Sequence, residues 1–275
     1  MEANNQTILI TGSTDGIGKQ TALDIARAGA SVIIHGRNHE RVKATATEIR
    51  QAAPRAVVDS VTADLSTLAS VRNMAHLIRE RFPRLTVLVH NAGVYMTERM
   101  LTPDGFETMF AVNHLAPFYL THLLQDLLIA SAPARVVVVS SVAHTRARLD
   151  FGNLQGEKRF DPYDTYALSK LANVLFSNEL ALRLRSNNVT SNCLHPGVVA
   201  TKLLRAGFSM SGAGVEEGAQ TSVYLALSPE VEGMTGKYFV RKQPVAPAPI
   251  TLDSHVRKEF WEATEHLLGI PSSLF

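Results

Sequence analysis

A strand that runs directly into a glycine-rich turn and then into a helix is the feature that most restricts what this chain can become. In Thr7–Gly18, TILITGSTDGIG, the β-branched run Thr7–Thr11 meets Gly12, and Gly16 and Gly18 open the apolar-periodic segment Ile17–Ala30. Gly12 turns the chain with no Cβ in the way, Gly16 lets the backbone approach a ligand, and Gly18 lets helix and strand pack closely. The first N–H groups of such a helix have no intrahelical partner and lie at the positive end of its dipole, which suits a pyrophosphate. The turn residues Gly12, Ser13, Thr14, Asp15, Gly16, Ile17 and Gly18 are therefore candidate cofactor contacts. The spacing is Gly-x-x-x-Gly-x-Gly rather than the commoner Gly-x-Gly-x-x-Gly, and by itself it fits an ordinary strand-to-helix turn equally well.

The rest of the chain repeats the alternation. Strands are expected at Thr7–Thr11, Ser31–His35, Ala56–Val61, Thr86–His90, Arg135–Ser140, Val189–His195 and Lys237–Val240. Helices are expected near Ile17–Arg27, His39–Ala53, Thr67–Phe82, Asp104–Ala130, Thr165–Arg185, Glu216–Leu227 and Asp253–Leu268. Val136–Val139 is continuously apolar, as in a strand covered on both faces. Alternating β and α predicts one α/β domain over residues 1–275, a Rossmann-type doubly wound sheet of about seven parallel strands flanked by helices. With 275 residues, 45% of them hydrophobic, the chain can bury one large core. The Pro-rich stretch Gln243–Pro249 reads as a surface crossing to the last helix, about 253–268, whose Trp261 reads as a docking residue.

A net charge of +2 without a long basic run argues against a nucleic-acid partner. The lone Cys193 excludes an internal disulfide, fits a reducing compartment and reads as an inert buried thiol. The polar opening MEANNQ and the absence of an apolar run near ~20 residues argue against a signal peptide or membrane span, so a cytoplasmic protein is expected. The ten histidines show no ligand spacing with Cys or carboxylates, so no metal is expected.

In a doubly wound sheet, ligands bind beyond the carboxyl ends of the strands. Arg37 follows the second strand, where an adenosine 2′-hydroxyl would ordinarily meet Asp or Glu. A guanidinium there suits a 2′-phosphate and predicts NADP(H) in preference to NAD(H). Asp64 and Leu65 follow the third strand and can bracket an adenine, although Asp64 equally suits a helix start. Asn91, Ala92 and Gly93 follow the fourth, Ser140 and Ser141 the fifth, and Pro196 and Gly197 the sixth. Tyr166 and Lys170, at i and i+4, share one helical face. A phenol with a reference pKa of about 10 exchanges protons poorly at neutral pH, and a nearby cation should lower it. Such a tyrosine can protonate a carbonyl oxygen as a nicotinamide delivers hydride, with the Ser141 hydroxyl holding the same oxygen.

With these residues in this order, the sequence resembles the short-chain dehydrogenase/reductase family over essentially its whole length. The motifs are Thr11-Gly12-x-x-x-Gly16-x-Gly18, Asn91-Ala92-Gly93, then Asn113, Ser141, Tyr166 and Lys170, and finally Pro196-Gly197-x-x-x-Thr201. The resemblance implies a tetrad. Tyr166 would be the acid/base, Lys170 would lower its pKa and bind the nicotinamide ribose, Ser141 would orient the carbonyl, and Asn113 would hold a relay water. It also carries Pro196, Gly197, Val199 and Thr201 over as cofactor contacts. Phe151-Gly-Asn-Leu-Gln-Gly-Glu157, Ser169-Lys-Leu-Ala-Asn173 and His195-Pro-Gly-Val-Val199 are similar to the retinol dehydrogenase group. The resemblance implies an NADP(H)-dependent carbonyl reductase or alcohol dehydrogenase. Its substrate would be a small apolar aldehyde, ketone or alcohol, and reduction the expected direction. A non-catalytic NADP(H) sensor on the same fold is the rival.

Three further expectations depend on tertiary structure. The loops 142–164 and 202–215, through Phe151, Phe160, Leu203, Leu204, Phe208 and Met210, are expected to form an apolar mouth with Tyr95 and Met96. Thr165–Arg185 is apolar around most of its circumference, which predicts a second chain against it, in a homodimer or homotetramer. Pro117 lies inside the segment expected as one long helix, and either kinks it at Asn113 or marks a helix beginning near Asn113.

Overall fold

A computed structural model describes residues 3–207 and 211–271. Each apolar run becomes a strand: β1 (Thr7–Ile10), β2 (Ser31–Gly36), β3 (Val58–Thr62), β4 (Val87–His90), β5 (Ala134–Val139), β6 (Val189–His195) and β7 (Tyr238–Val240). A further strand, β8 (Gln243–Val245), completes one sheet in the order β3-β2-β1-β4-β5-β6-β7-β8. The first seven strands are parallel, and β8 runs antiparallel to β7. It occupies the Pro-rich stretch expected as a surface crossing. Arg241 and Lys242, both at positive φ, reverse the chain tightly enough for Gln243 to pair with Val240. Pro244 is tolerated because β8 is an edge strand.

The helices cover both faces: α1 (Gly16–Arg27), α2 (His39–Ala52), α3 (Leu68–Arg81), α4 (Thr108–Phe110), α5 (Ala116–Ala130), α6 (Pro162–Arg183), α7 (Lys202–Gly207), α8 (Val215–Leu227) and α9 (Ser254–Leu268). On one face Ile8, Ile10, Val32 and Ile34 pack against Ala22, Ile25 and Leu225 of α1 and α8. On the other, Leu9, Leu88 and Val136 pack against Val71, Met74, Leu120, Leu124 and Phe176 of α3, α5 and α6. Alternate residues of β1 thus feed opposite cores, which is why its run is apolar throughout.

Two expectations change. The long helix between β4 and β5 begins at Thr108, widens into a π turn over Ala111–Leu115 and resumes as α5. The Ala116 N–H reaches back to the Ala111 carbonyl, five residues away, so the irregularity falls in the turn just before Pro117 and includes Asn113, whose carbonyl the proline ring crowds. Pro117 is the second residue of α5, directly after that turn, and has no N–H to return to it.

Apart from exposed Leu182, the apolar circumference of α6 is covered within the chain. Trp261 of α9, 1% exposed, stacks on Phe176 at 6.0 Å and packs on Phe118 at 4.5 Å between ring centres. The Arg183 guanidinium lies 4.4 Å over the indole, and Glu179 of α6 pairs with Arg257 of α9 at 3.5 Å. That face needs no second chain to cover it, and the homodimer or homotetramer loses the reason for expecting it. Among the described residues, no helix is long and apolar enough to cross a membrane.

Candidate active site

A cleft of about 1100 Å³ opens at the carboxyl ends of the strands, along the crevice where the order reverses between β1 and β4. Its floor begins at the glycine turn. Gly12 has φ +65°, and a Cβ there would lie 2.8 Å from Ala92 Cα. At Gly18 a Cβ would lie 2.3 Å from both the Asn91 side-chain nitrogen and the Gly12 carbonyl oxygen. Asn91 occupies that space, its amide donating to the carbonyls of Thr11 (2.9 Å) and Gly12 (3.1 Å). Asp15 caps α1 through Gly16 N–H, and its carbonyl takes the Lys19 N–H. The N–H groups of Ile17 and Gly18 fall in the first turn, where the helix offers them no partner, and both residues line the cleft. That donor set fits a pyrophosphate.

Thr14, Asp15, Gly16, Ile17, Gly18, Arg37, Asp64, Leu65, Asn91, Ala92, Gly93, Pro196, Gly197, Val199 and Thr201 all line the cleft. Ser13 does not. It is fully buried, its hydroxyl donates to the Ile10 carbonyl at 2.8 Å and accepts the His35 N–H at 2.9 Å, and so it braces β1 against β2. Asp64 serves both of its readings, lining the cleft while its carboxylate accepts the Ser66 N–H in the turn toward α3. Three neighbouring residues escaped the sequence reading. Arg41 and Lys202 both hold the Asp15 carboxylate, at 3.1 and 2.6 Å, and both line the cleft beside exposed Arg37. These cations keep the Asp15 carboxyl below its usual range, the Lys202 hydrogen bond contributing most. His35 accepts the Gly12 N–H at Nδ1 (3.0 Å), so its Nε2 carries the proton toward the Ala63 carbonyl (3.1 Å). Burial keeps that ring neutral, its pKa down at about 4.

The reactive side chains meet deeper in. Tyr166 and Lys170 project from the first turns of α6, a helix that begins at Pro162 with Asp161 as its cap. Ser141 stands just past β5, and its hydroxyl hydrogen-bonds to the Tyr166 phenol. Ser140 fastens strand to helix by donating to the Lys170 carbonyl at 2.7 Å. Lys170 Nζ donates to the Val139 carbonyl at 3.2 Å and lies 5.6 Å above the Tyr166 ring centre. A Cβ on Gly93 would lie in ordinary contact with that Nζ, at 3.4 Å, and with Asn113 Oδ1, at 3.5 Å, so Gly93 stands beside both groups.

Electrostatically the pair departs from expectation. The Tyr166 phenol is pushed up to about 12, because burial outweighs the Ser141 hydrogen bond. Burial draws Lys170 down to about 8. The lysine, 5.6 Å from the ring centre, is itself desolvated, and burial dominates the ionisation of the phenol. Asn113 also differs from its expected place. It is fully buried in the π turn and does not line the cleft. Its Oδ1 accepts the Val94 N–H at 2.8 Å, and its amide donates to the Val94 carbonyl (3.1 Å) and the Ser169 hydroxyl (3.0 Å). The side chain pins three elements together, and these bonds do not involve the main-chain carbonyl, where the relay water is expected.

Of the expected apolar mouth, Tyr95, Met96, Leu203 and Leu204 line the cleft, joined by Met100, Leu101, Val142 and Tyr163. Phe160 instead packs into the small cluster around Tyr166, and Phe151 packs toward Phe260. Phe208 and Met210 lie outside the described residues. Part of loop 202–215 is the short helix α7, whose Gly207 abuts the Tyr95 ring. Cys193 is buried, with its thiol pushed up to about 12 by desolvation.

The short chain dehydrogenase family matches residues 6–212. Human retinol dehydrogenase 14 is 40% identical over 97% of this chain and 87% of its own length, and human retinol dehydrogenase 13 is 40% identical over 96% and 85%. Among solved structures, an uncharacterized protein from Mycobacterium paratuberculosis superposes with a TM-score of 0.80 and 31% identity, covering 96% of this chain and 94% of that one. A short chain dehydrogenase from Shigella flexneri complexed with NADP has a TM-score of 0.71 and 27% identity over 86% of this chain and 97% of its own. One from Escherichia coli complexed with NADPH has a TM-score of 0.73 and 27% identity, with the same coverage.

Proposed function

Because this chain belongs to the short-chain dehydrogenase family and is therefore an oxidoreductase, we propose that it is an NADP(H)-dependent reductase of apolar aldehydes and ketones, or of the alcohols in reverse. The observation that carries this reading is the meeting of Ser141, Tyr166 and Lys170 at the base of one cleft that also holds the glycine turn and an apolar mouth. When bound, the nicotinamide cofactor supplies or accepts the hydride.

The chain's own residues do the rest. The Ile17 and Gly18 N–H groups suit a pyrophosphate, Arg37 and Arg41 a 2′-phosphate, and Lys170 a ribose hydroxyl. Tyr166, held up at about 12, is fully protonated at neutral pH and ready to give its proton to a carbonyl oxygen. Ser141 turns its one hydroxyl proton to that same oxygen. Reduction therefore asks nothing unusual of the tyrosine, whereas oxidation needs a phenolate that burial disfavours. Support for a phosphorylated cofactor comes from the two arginines, and from solved relatives that carry NADP or NADPH. An NADP(H) sensor would have no use for a serine and a tyrosine facing one oxygen.

The test is NADPH oxidation, followed by absorbance, with a panel of medium-chain and aromatic aldehydes and ketones. Retinaldehyde belongs in the panel because the relatives are named for retinol. Turnover of apolar carbonyls with NADPH, lost in Ser141→Ala and Tyr166→Phe, is expected. A purified protein that binds NADPH but turns over no member of the panel would overturn the reading.

A further inference from the structure

Ser141 lies beyond the last bond of its strand. The final ladder contact of β5 is Ser140 N–H to the Leu194 carbonyl, at 2.7 Å, and the chain then leaves the sheet until α6 begins at Pro162. A hydroxyl that must meet a substrate oxygen needs to be held within roughly 0.5 Å, and a loop residue past its last ladder bond is not held by the sheet.

Inside the turn, the Ser141 hydroxyl takes the Ala143 N–H and its carbonyl takes the His144 N–H, both at 3.2 Å, and a histidine ring then ties the turn to the rest of the fold. His144, 1% exposed, sits in the short 3₁₀ turn Val142–Arg146 that Ser141 caps. Its Nδ1 lies 2.7 Å from the Ser141 carbonyl oxygen, and its Nε2 lies 3.1 Å from the Ala248 nitrogen. A backbone N–H only donates, so Nε2 must carry the lone pair, and the ring proton therefore sits on Nδ1 and is donated to Ser141. Burial favours this neutral form. The Tyr238 ring packs beside the imidazole at 4.6 Å between centres.

Ala248 belongs to the strap that follows β8, and the strap is itself tied to the helix bearing the other reactive groups. The Ala248 carbonyl accepts the Thr251 N–H and hydroxyl, at 2.9 and 2.7 Å, and the Thr251 carbonyl accepts the Asn178 amide of α6 at 3.1 Å. A buried polar chain thus runs from Ser141 through His144 and the strap to α6.

We infer that His144 is a positioning residue for catalysis: its imidazole fastens the Ser141 turn to the C-terminal strap, and so sets the serine hydroxyl against Tyr166. The inference rests on the proposed reductase activity. His144 does not line the cleft, so it acts through Ser141 rather than on the substrate.

The experiment compares His144→Leu, His144→Gln and Ser141→Ala in the full chain, reading kcat, KM, NADPH affinity by fluorescence and melting temperature. His144→Leu should lower kcat about tenfold to a hundredfold, the scale of a misplacement near 1 Å, while NADPH affinity stays within about twofold. His144→Gln, whose amide can both donate to Ser141 and accept from Ala248, should recover most of the loss. The proposal is overturned if kcat in His144→Leu stays within about twofold of the native value, or if kcat and NADPH affinity fall together. Failure of His144→Gln to exceed His144→Leu would overturn it too. Should His144→Leu not fold, His144→Asn decides, since it keeps the donor to Ser141 but is too short for Ala248: unchanged kcat would sink the idea. Full activity in Ser141→Ala would refute the reductase site itself, whereas an inactive Ser141→Ala beside a fully active His144→Leu would refute only the role of His144.

Discussion

The chemistry at the residue scale is a contest between burial and hydrogen bonding. Tyr166 is 6% exposed, and the Ser141 hydrogen bond, which favours its charged form, does not offset desolvation. Tyr166→Phe removes only the phenolic oxygen, so NADPH binding should survive while turnover falls by ~10²–10⁴, the usual worth of a general acid. Near-native turnover would mean that the proton comes from elsewhere. Lys170→Ala should weaken both turnover and NADPH affinity, because it removes the ribose partner along with the cation over the ring. At the cleft's far end Arg37 is exposed and Arg41 already leans on Asp15, so neither is fully desolvated. A charge-assisted bond to phosphate is worth ~1.5–3 kcal/mol, and exposure favours the low end. A preference for NADPH over NADH of about tenfold is expected, with reversal in Arg37→Asp. Equal dissociation constants for the two cofactors in the native protein would refute this assignment.

Between residue and fold stand the elements, and the helix running from Thr108 to Ala130 shows how one is shaped by its partners. Its π turn is held from outside, by Asn113 bonded to Val94 on one side and to Ser169 of α6 on the other. Such turns cluster at functional sites because they re-aim the side chains within them. Pro117 stands directly after the π turn and its ring crowds the Asn113 carbonyl; if the Asn113 bonds rather than the ring hold the turn, Pro117→Ala should leave kcat within about twofold and change stability by less than about 1 kcal/mol. Asn113→Ala strands several buried groups and should cost about 1–3 kcal/mol for each one left unpaired, read as a lower urea midpoint. A proline variant that slows turnover as much as the asparagine variant would return the kink to the proline. The packing of α9 on α6 admits the same kind of measurement. Trp261→Ala empties a site ringed by Phe118, Phe176 and the Arg183 guanidinium, and should cost about 3–5 kcal/mol.

Taken as a whole, the molecule carries a set of buried neutral histidines that make its stability depend on pH. Desolvation lowers His35 and His195 to about 4 and His90 and His114 to about 3, against an ordinary value of 6.5. A histidine depressed in this way binds its proton more readily in the unfolded chain. Its contribution is complete above pH 6.5 and is lost as pH falls through 6.5 toward the folded value. Each such group costs up to about 1.4 kcal/mol per pH unit across that window. The urea midpoint should therefore be flat above about pH 7 and fall steeply between pH 6.5 and 4. A midpoint unchanged from pH 7 to pH 5 would show that these rings are not held neutral.

Much of this was legible in the residues because it is local. The β-branched run into Gly12, the apolar periods of α1, α2 and α3 and the i, i+4 pairing of Tyr166 with Lys170 depend on near neighbours, and parallel topology then sends the residues after each strand to one edge. β8 hid among prolines because pairing at an edge, not propensity, makes it a strand. The apolar circumference of α6 announced that something covers it, but not that the cover is α9. The Tyr166 phenol was expected to be acidic from its lysine neighbour, whereas enclosure by several segments decides its ionisation. Asn113 matched its motif, yet its amide is claimed by Val94 and Ser169. His35 and His144 carried no motif at all. Their tautomers are set by Ala63, 28 residues away, and by Ala248, 104 residues away, and a proton's place on a ring is decided by whichever donors and acceptors the folded chain brings to its two nitrogens.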